Sequence, residues 1–326
     1  MFPPSVLRLL GSLLSPAGRR GKLSILIYHR VLARHDPLLP SEIDAHTFRW
    51  QMELLAEYFH ILPLSEAVDR LQTQSLPARA ACITFDDGYA DNQEVAMPIL
   101  KEYGLTATFF VATGFLNGGI MWNDKIIEAV RHCQEPSLDL SELGMRCYDI
   151  SSGRMKVSVI RALLEDLKYL PLSQRLEKVE SITGLLNTPL QKDIMMSDDQ
   201  VIDLARNGMS IGAHTVNHPI LQKIDHTAMC SEIAQSRDYL QSLTGDNIDL
   251  FAYPNGKPGQ DYGWEHVRCL QDMGFRAAVS TAWGVSTVSS DVYQLPRFTP
   301  WDRQPDRFLF RLLRNCLRKN AEKVGG

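Results

Sequence analysis

Two clusters of polar residues have spacings that chemistry can use. His214-Thr215-Val216-Asn217-His218 sets two imidazoles four residues apart, directly after the apolar run Ile211-Gly212-Ala213. On one helical turn or in a tight loop, that spacing lets both rings aim at one point. Imidazoles joined by a carboxylate suit zinc or a similar divalent ion, with one position left open for water. Two solvated surface histidines at this spacing also arise easily. The second cluster, Asp86-Asp87-Gly88, follows the apolar Ile83-Thr84-Phe85. A strand ending there delivers two adjacent carboxylates to a rim, where their repulsion is costly unless a cation or proton offsets it. One carboxylate can then ligate a metal while the other stays free as a base. Asp-Asp-Gly is also good turn chemistry on an exposed loop, and only the histidines favour a site over a turn.

The elements that must position these residues alternate. Leu23–Tyr28, Ala81–Phe85, Ala107–Ala112, Met209–Ala213, Leu250–Tyr253 and Ala277–Thr281 read as short apolar strands. Phe48–Tyr58, Asn92–Tyr103, Asp198–Asn207, Thr227–Thr244 and Tyr262–Met273 have helical periodicity. Repeated strand–helix units predict an α/β fold with parallel strands, as a barrel or an open sheet. In such folds functional groups gather where strands end. Four strand ends carry unusual polar residues: His29, Asp86-Asp87, His214 with His218, and Tyr253-Pro254-Asn255-Gly256. Residues 114–197 are mostly helical and polar with no strand rhythm, and are expected to form a helical insertion.

The chain of 326 residues is 44% hydrophobic and 22% charged, which excludes disorder, collagen and coiled coil. No run approaches the roughly 18 apolar residues needed to span a membrane. A net charge of −4 argues against a general nucleic-acid partner. The charge is uneven: +6 over residues 1–35, +5 from Arg303 onward, and so −15 between them. Basic ends of this kind, residues 1–21 and 303–326, could make a peripheral contact with an anionic membrane face; solvated termini are the simpler reading. The segment from Arg307 to Lys319 has apolar residues on one side and basic ones on the other, which suits either a membrane surface or docking on the domain itself. Six cysteines without close pairing suggest a reduced chain, and the first 22 residues, interrupted by Arg8, make a poor signal peptide. A cytoplasmic, possibly membrane-associated location is expected.

Thr84-Phe85-Asp86-Asp87-Gly88 followed about 127 residues later by His214-Thr215-x-x-His218 resembles the first two motifs of the polysaccharide deacetylases, the nodulation-type deacetylase domain or carbohydrate esterase family 4. Ile27-Tyr28-His29-Arg30-Val31 resembles the opening of the subgroup containing the poly-N-acetylglucosamine deacetylases. Met196-Ser197-x-x-Gln200, Gly212-Ala213-His214-Thr215 and Leu295-Pro296-Arg297 fit the same subgroup. The resemblance covers roughly residues 22–302. It implies a distorted (β/α) barrel, a divalent metal, often Zn²⁺, and hydrolysis of N-acetyl groups from amino sugars of a glycan or glycolipid precursor. Matched by motif, Asp87, His214 and His218 would be the metal ligands, Asp86 the general base, and Asn255 the source of an oxyanion-binding backbone N–H.

Some positions depart from the family pattern. The third motif commonly begins with an arginine, but here it reads Phe251-Ala252-Tyr253-Pro254-Asn255-Gly256. Arg297 could supply the guanidinium from another loop, or form only a surface ion pair. The late histidine that usually acts as general acid has no counterpart after His266, which reads as a solvated helix residue. In the resembling subgroup an N-terminal histidine takes that role, here His29. Trp122 and Tyr253 are candidate sugar contacts, although an aromatic covering a barrel edge is commoner. Two rival functions stay open: an amidohydrolase on formyl-sugar or non-carbohydrate amides, and a catalytically inactive glycan-binding relative.

Overall fold

The structure, a computed structural model, describes residues 4–186, 193–318 and 321–325. Seven parallel strands run in chain order around a nearly closed barrel: β1 (Ser24–Tyr28), β2 (Ala80–Phe85), β3 (Thr108–Val111), β4 (Ser210–Ala213), β5 (Leu250–Ala252), β6 (Ala277–Trp283) and β7 (Leu295–Arg297). Closure between first and last strand is a single parallel bridge, Leu26 with Phe298. There Ile27 N–H donates to Phe298 at 3.0 Å and Phe298 N–H to Ile25 at 2.7 Å. A two-residue strand, His60–Ile61, pairs with the start of β2. Helices α1 (Pro4–Leu14), α2 (Ala45–Tyr58), α3 (Leu64–Gln72), α4 (Met97–Glu102), α5 (Trp122–His132), α6 (Gly153–Lys168), α7 (Leu172–Leu186), α8 (Asp198–Arg206), α9 (His226–Thr244), α10 (Trp264–Asp272) and α11 (Pro305–Asn315) complete the chain.

The strands read as continuous apolar runs because both of their faces are buried. Leu26, Phe85, Phe109 and Phe251 face the helices and join the larger core, while Ile25, Cys82, Phe110, Ala252 and Val279 fill the smaller core with residues of α3. The interior leaves no room beside Phe110: a Cβ on Gly212 would lie 2.5 Å from two of its ring carbons, so glycine alone fits there.

The expected insertion has a core of its own, in which Ile126 and Val130 of α5 pack with Leu163 and Leu167 of α6 and Val179 and Ile182 of α7. It is not purely helical. Ser137–Asp139 and Cys147–Asp149 form an antiparallel ribbon whose three-residue strands are too short to show alternation. The expected helix 92–103 is divided, with a π-helical start at Asn92–Ala96 before α4. Helix α11 docks on the domain. Phe308, Leu309 and Leu312 are buried, and Phe308 meets Trp50 edge-on at 5.7 Å. Leu317 lies beyond the helix and is exposed, and Lys319 and residues 187–192 fall outside the described residues. Among the described residues no helix is long and apolar enough to cross a membrane, and the cysteines are free thiols.

Candidate active site

Strand β2 ends by giving its two aspartates different partners. Asp86 stays on the ladder, its N–H donating to Tyr28 at 2.9 Å. Asp87 turns into the left-handed region at φ +76°, followed by Gly88 at +91°. The Asp86 side chain points into the barrel, where Arg297 of β7 donates to both carboxylate oxygens at 2.7 and 2.6 Å. The guanidinium is held in turn by Ser280 O at 2.9 Å and Thr84 Oγ1 at 3.2 Å. Burial alone would push the Asp86 carboxyl up, but Arg297 reverses this and holds it below its usual value.

The Asp87 side chain meets the histidine loop instead. Its Oδ1 lies 3.3 Å from His214 Nε2 and 3.4 Å from His218 Nε2. His214 Nδ1–H donates to Ala252 O at 2.7 Å, which turns Nε2 toward Asp87; burial disfavours a charge on the ring, but Asp87 and Asp86 outweigh it and raise its pKa. Burial drives His218 down to about 3, which keeps that ring neutral. Asp87 is held well below the carboxylate range, burial being outweighed by the three imidazoles around it. Three potential ligand atoms therefore converge, and Asp87 Oδ1 is buried without a hydrogen-bond partner. One ligand atom from each residue lies within 4.8 Å of the others. A divalent cation is what this donor set fits.

The loop bearing the histidines is strained into place. Thr215 (φ +64°) and His218 (φ +49°) are left-handed, as is Asn255 (φ +59°) in the next loop. Such residues cost about 1–3 kcal/mol each and persist where surrounding structure over-determines them. Thr215 Oγ1 donates to His214 O at 2.5 Å and accepts from His218 N at 3.1 Å. Glu232 of α9 accepts from Val216 N at 2.9 Å, Asn217 N at 2.8 Å and Asn217 Nδ2 at 2.7 Å. That clamp was not foreseen, because its partners meet only across the α9 interface.

A cleft of about 440 Å³ opens over these groups, with His29 at its mouth, Asn255 and Thr281 on one side and Trp122 on the other. No acceptor among the described residues takes the Asn255 N–H. Arg175 covers one face of Trp122, its guanidinium 5.0 Å from the ring centre. Glu42 also lines the cleft; burial pushes its carboxyl up, with His29 and Arg30 opposing. Two expectations need correction. Tyr253 does not reach the cleft: it is buried in the helix-facing core, stacked on Tyr262 at 3.9 Å, with its hydroxyl donating to Tyr293 O. It shares a face with Phe251, two residues earlier, and that face looks away from the site. His266 is buried, not solvated, and its Nδ1 accepts the Gly263 N–H at 2.8 Å at the start of α10.

The polysaccharide deacetylase family model matches residues 73–135 and 180–278. The chain belongs to the polysaccharide deacetylase family. As a polysaccharide deacetylase it is a hydrolase of amide C–N bonds. YxkH of Bacillus subtilis (strain 168), whose name assigns it provisionally to the same family, is 21% identical over 277 residues, 85% of this chain and 70% of that protein. Among solved structures, the Streptococcus pyogenes deacetylase PplD, in complex with acetate, superposes with a TM-score of 0.61 at 21% identity, over 90% of this chain and 98% of that one. IcaB from Ammonifex degensii gives 0.56 at 18% identity, over 93% and 99%. These neighbours share the fold of this deacetylase, a parallel barrel with helices around it.

Proposed function

We propose that this deacetylase removes N-acetyl groups from amino sugars of a glycan or glycolipid precursor, using a divalent metal held by Asp87, His214 and His218. The observation that carries the reading is the different partners of two adjacent carboxylates. Asp87 faces the Nε2 atoms of two imidazoles with its Oδ1 unpartnered, while Asp86 is held ionised by Arg297. When bound, the ion, proposed as Zn²⁺, would polarise the amide carbonyl and acidify water at the site.

The chain's own groups supply the proton handling. Asp86 accepts the proton of the attacking water, and Arg297 keeps it ionised and fixed in direction. The Asn255 N–H donates to the carbonyl oxygen as charge develops on it. His29, at the mouth of the cleft, gives a proton to the departing amine, which is a poor leaving group without one.

Acetate release from defined N-acetylated amino-sugar oligomers, assayed on protein of known metal content, tests this. Acetate should appear, and should track metal content. Release from N-formyl sugars or simple amides alone would favour the amidohydrolase alternative. Binding of the oligomers with no release from metal-loaded protein would favour the inactive glycan-binding one.

A further inference from the structure

One wall of the cleft is built by residues that the family model does not match. The matched segments stop at residue 135 and resume at 180, so α6 and Arg175 lie in the gap between them. Helix α6 turns one face to the cleft at Val157, Ile160, Arg161, Leu164, Glu165 and Lys168, a spacing of one helical stripe. Ile160, Leu163 and Leu167 anchor that helix in the insertion's own core, and Lys156 Nζ ties it to Arg131 O and Cys133 O, each at 2.9 Å. The wall is thus fixed in position, with Arg161 and Lys168 two turns apart, about 10 Å along the axis.

The α6 face of the wall carries two cations, Arg161 and Lys168, against one acid, Glu165. Neither Arg161 nor Lys168 pairs with a carboxylate among the described residues. Asp261 feels the charge of Lys168 but lies beyond ion-pair reach. Behind the wall sits a third cation. Arg175 is 3% exposed, its Nε has no partner, and its guanidinium only caps Lys168 O at 3.1 Å and covers Trp122. Burial lowers its pKa with no acid to oppose the shift. A buried guanidinium without a counter-charge is costly, and a ligand anion nearby would offset that cost. The acids that share the cleft are Glu165, on the same helix face, Glu42, whose charge His29 offsets, and Asp86 and Asp87 of the site.

We propose that the α6 face bearing Arg161 and Lys168 is a subsite for an oxyanion, phosphate or carboxylate, carried by the amino sugar whose acetamido group reaches Asp86 and Asp87. This rests on the deacetylase reading and narrows its substrate class to anionic acetamido sugars.

Equilibrium binding at low ionic strength tests it. The probes are N-acetylglucosamine 1-phosphate, the neutral methyl N-acetylglucosaminide and inorganic phosphate. The sugar phosphate should bind about tenfold or more tighter than the methyl glycoside. Arg161→Gln with Lys168→Gln should abolish that preference, and Glu165→Gln should enlarge it, a gain that a merely structural role would not produce. Equal affinity for both sugars, a preference that survives the double substitution, or inorganic phosphate binding as tightly as the sugar phosphate would overturn the proposal. The two readings fail separately. A binding preference that behaves as stated, without acetate release from either sugar, would remove the deacetylase reading and leave the subsite. Acetate release from both at equal kcat/KM, with equal binding, would remove the subsite and leave the activity.

Discussion

Arg297 and Asp86 face each other through two hydrogen bonds, 2.7 and 2.6 Å, inside the barrel, with side chains 0% and 3% exposed. The pair joins the last strand to the end of the second, so one contact serves both barrel closure and the orientation of a carboxylate. Arg297→Ala would leave that carboxylate buried and alone, at a cost of about 3–5 kcal/mol, measurable as a lower midpoint in denaturant. Arg297→Lys keeps the charge and loses the fork. It should destabilise less while lowering kcat by roughly tenfold or more.

Glu232 holds the histidine loop by three hydrogen bonds without touching either imidazole. Glu232→Ala should leave the fold intact and weaken metal binding by about 10–100-fold, the usual cost of removing an outer support. Competition with a chromophoric chelator would read this, and unchanged affinity would show that Thr215 and the backbone suffice.

Asp124 sits beneath the site and accepts from Tyr89 Oη at 3.0 Å. Burial pushes its carboxyl up to about 7, with Arg30 and Tyr89 only partly opposing. Between about pH 4 and 7 the folded chain keeps a proton that the unfolded chain has released. Stability from this group is therefore full below about pH 4, falls as pH rises to 7, and is level above. Asp124→Asn should flatten the loss between pH 5 and 8, by on the order of 2 kcal/mol, in unfolding curves at the two pH values.

His29→Ala separates proton donation from support of the site. Turnover of amide substrates should fall by about 10²–10⁴-fold at unchanged metal content. An activated acetyl ester, whose leaving group needs little protonation, should lose much less. Equal losses on both substrates would assign His29 a structural role.

The parallel strands were legible because they are buried on both faces and end in polar residues, so apolar runs and their termini stand out together; their closing into a barrel was implied only by the family resemblance. The histidines and aspartates were legible by spacing, which a loop or strand end preserves in three dimensions. Arg297 stood out through the Leu295-Pro296-Arg297 motif and because an expected arginine was missing elsewhere. Glu232 gives no local signal, since its partners lie fifteen residues away and meet it only after α9 packs. The misreading of Tyr253 was one of phase: counting by two from Phe251 places it on the helix-facing side. His266 shares the buried stripe of α10 with Cys269 and Leu270, and with Tyr262 just before the helix, so its helical phase pointed inward and only its polar side chain argued for solvent. The cations of α6 lie on a helix whose exposed and cleft-facing sides look alike in sequence.

We propose that adjacent carboxylates divide the work, Asp87 holding the metal and Asp86 moving the proton. Metal content and acetate release measured together in Asp86→Asn and Asp87→Asn test it most directly. Asp86→Asn is expected to keep about one metal per chain and lose about 10²–10⁴-fold in turnover, and Asp87→Asn to lose both. Wild-type turnover in metal-loaded Asp86→Asn, or full metal and activity in Asp87→Asn, would contradict the account.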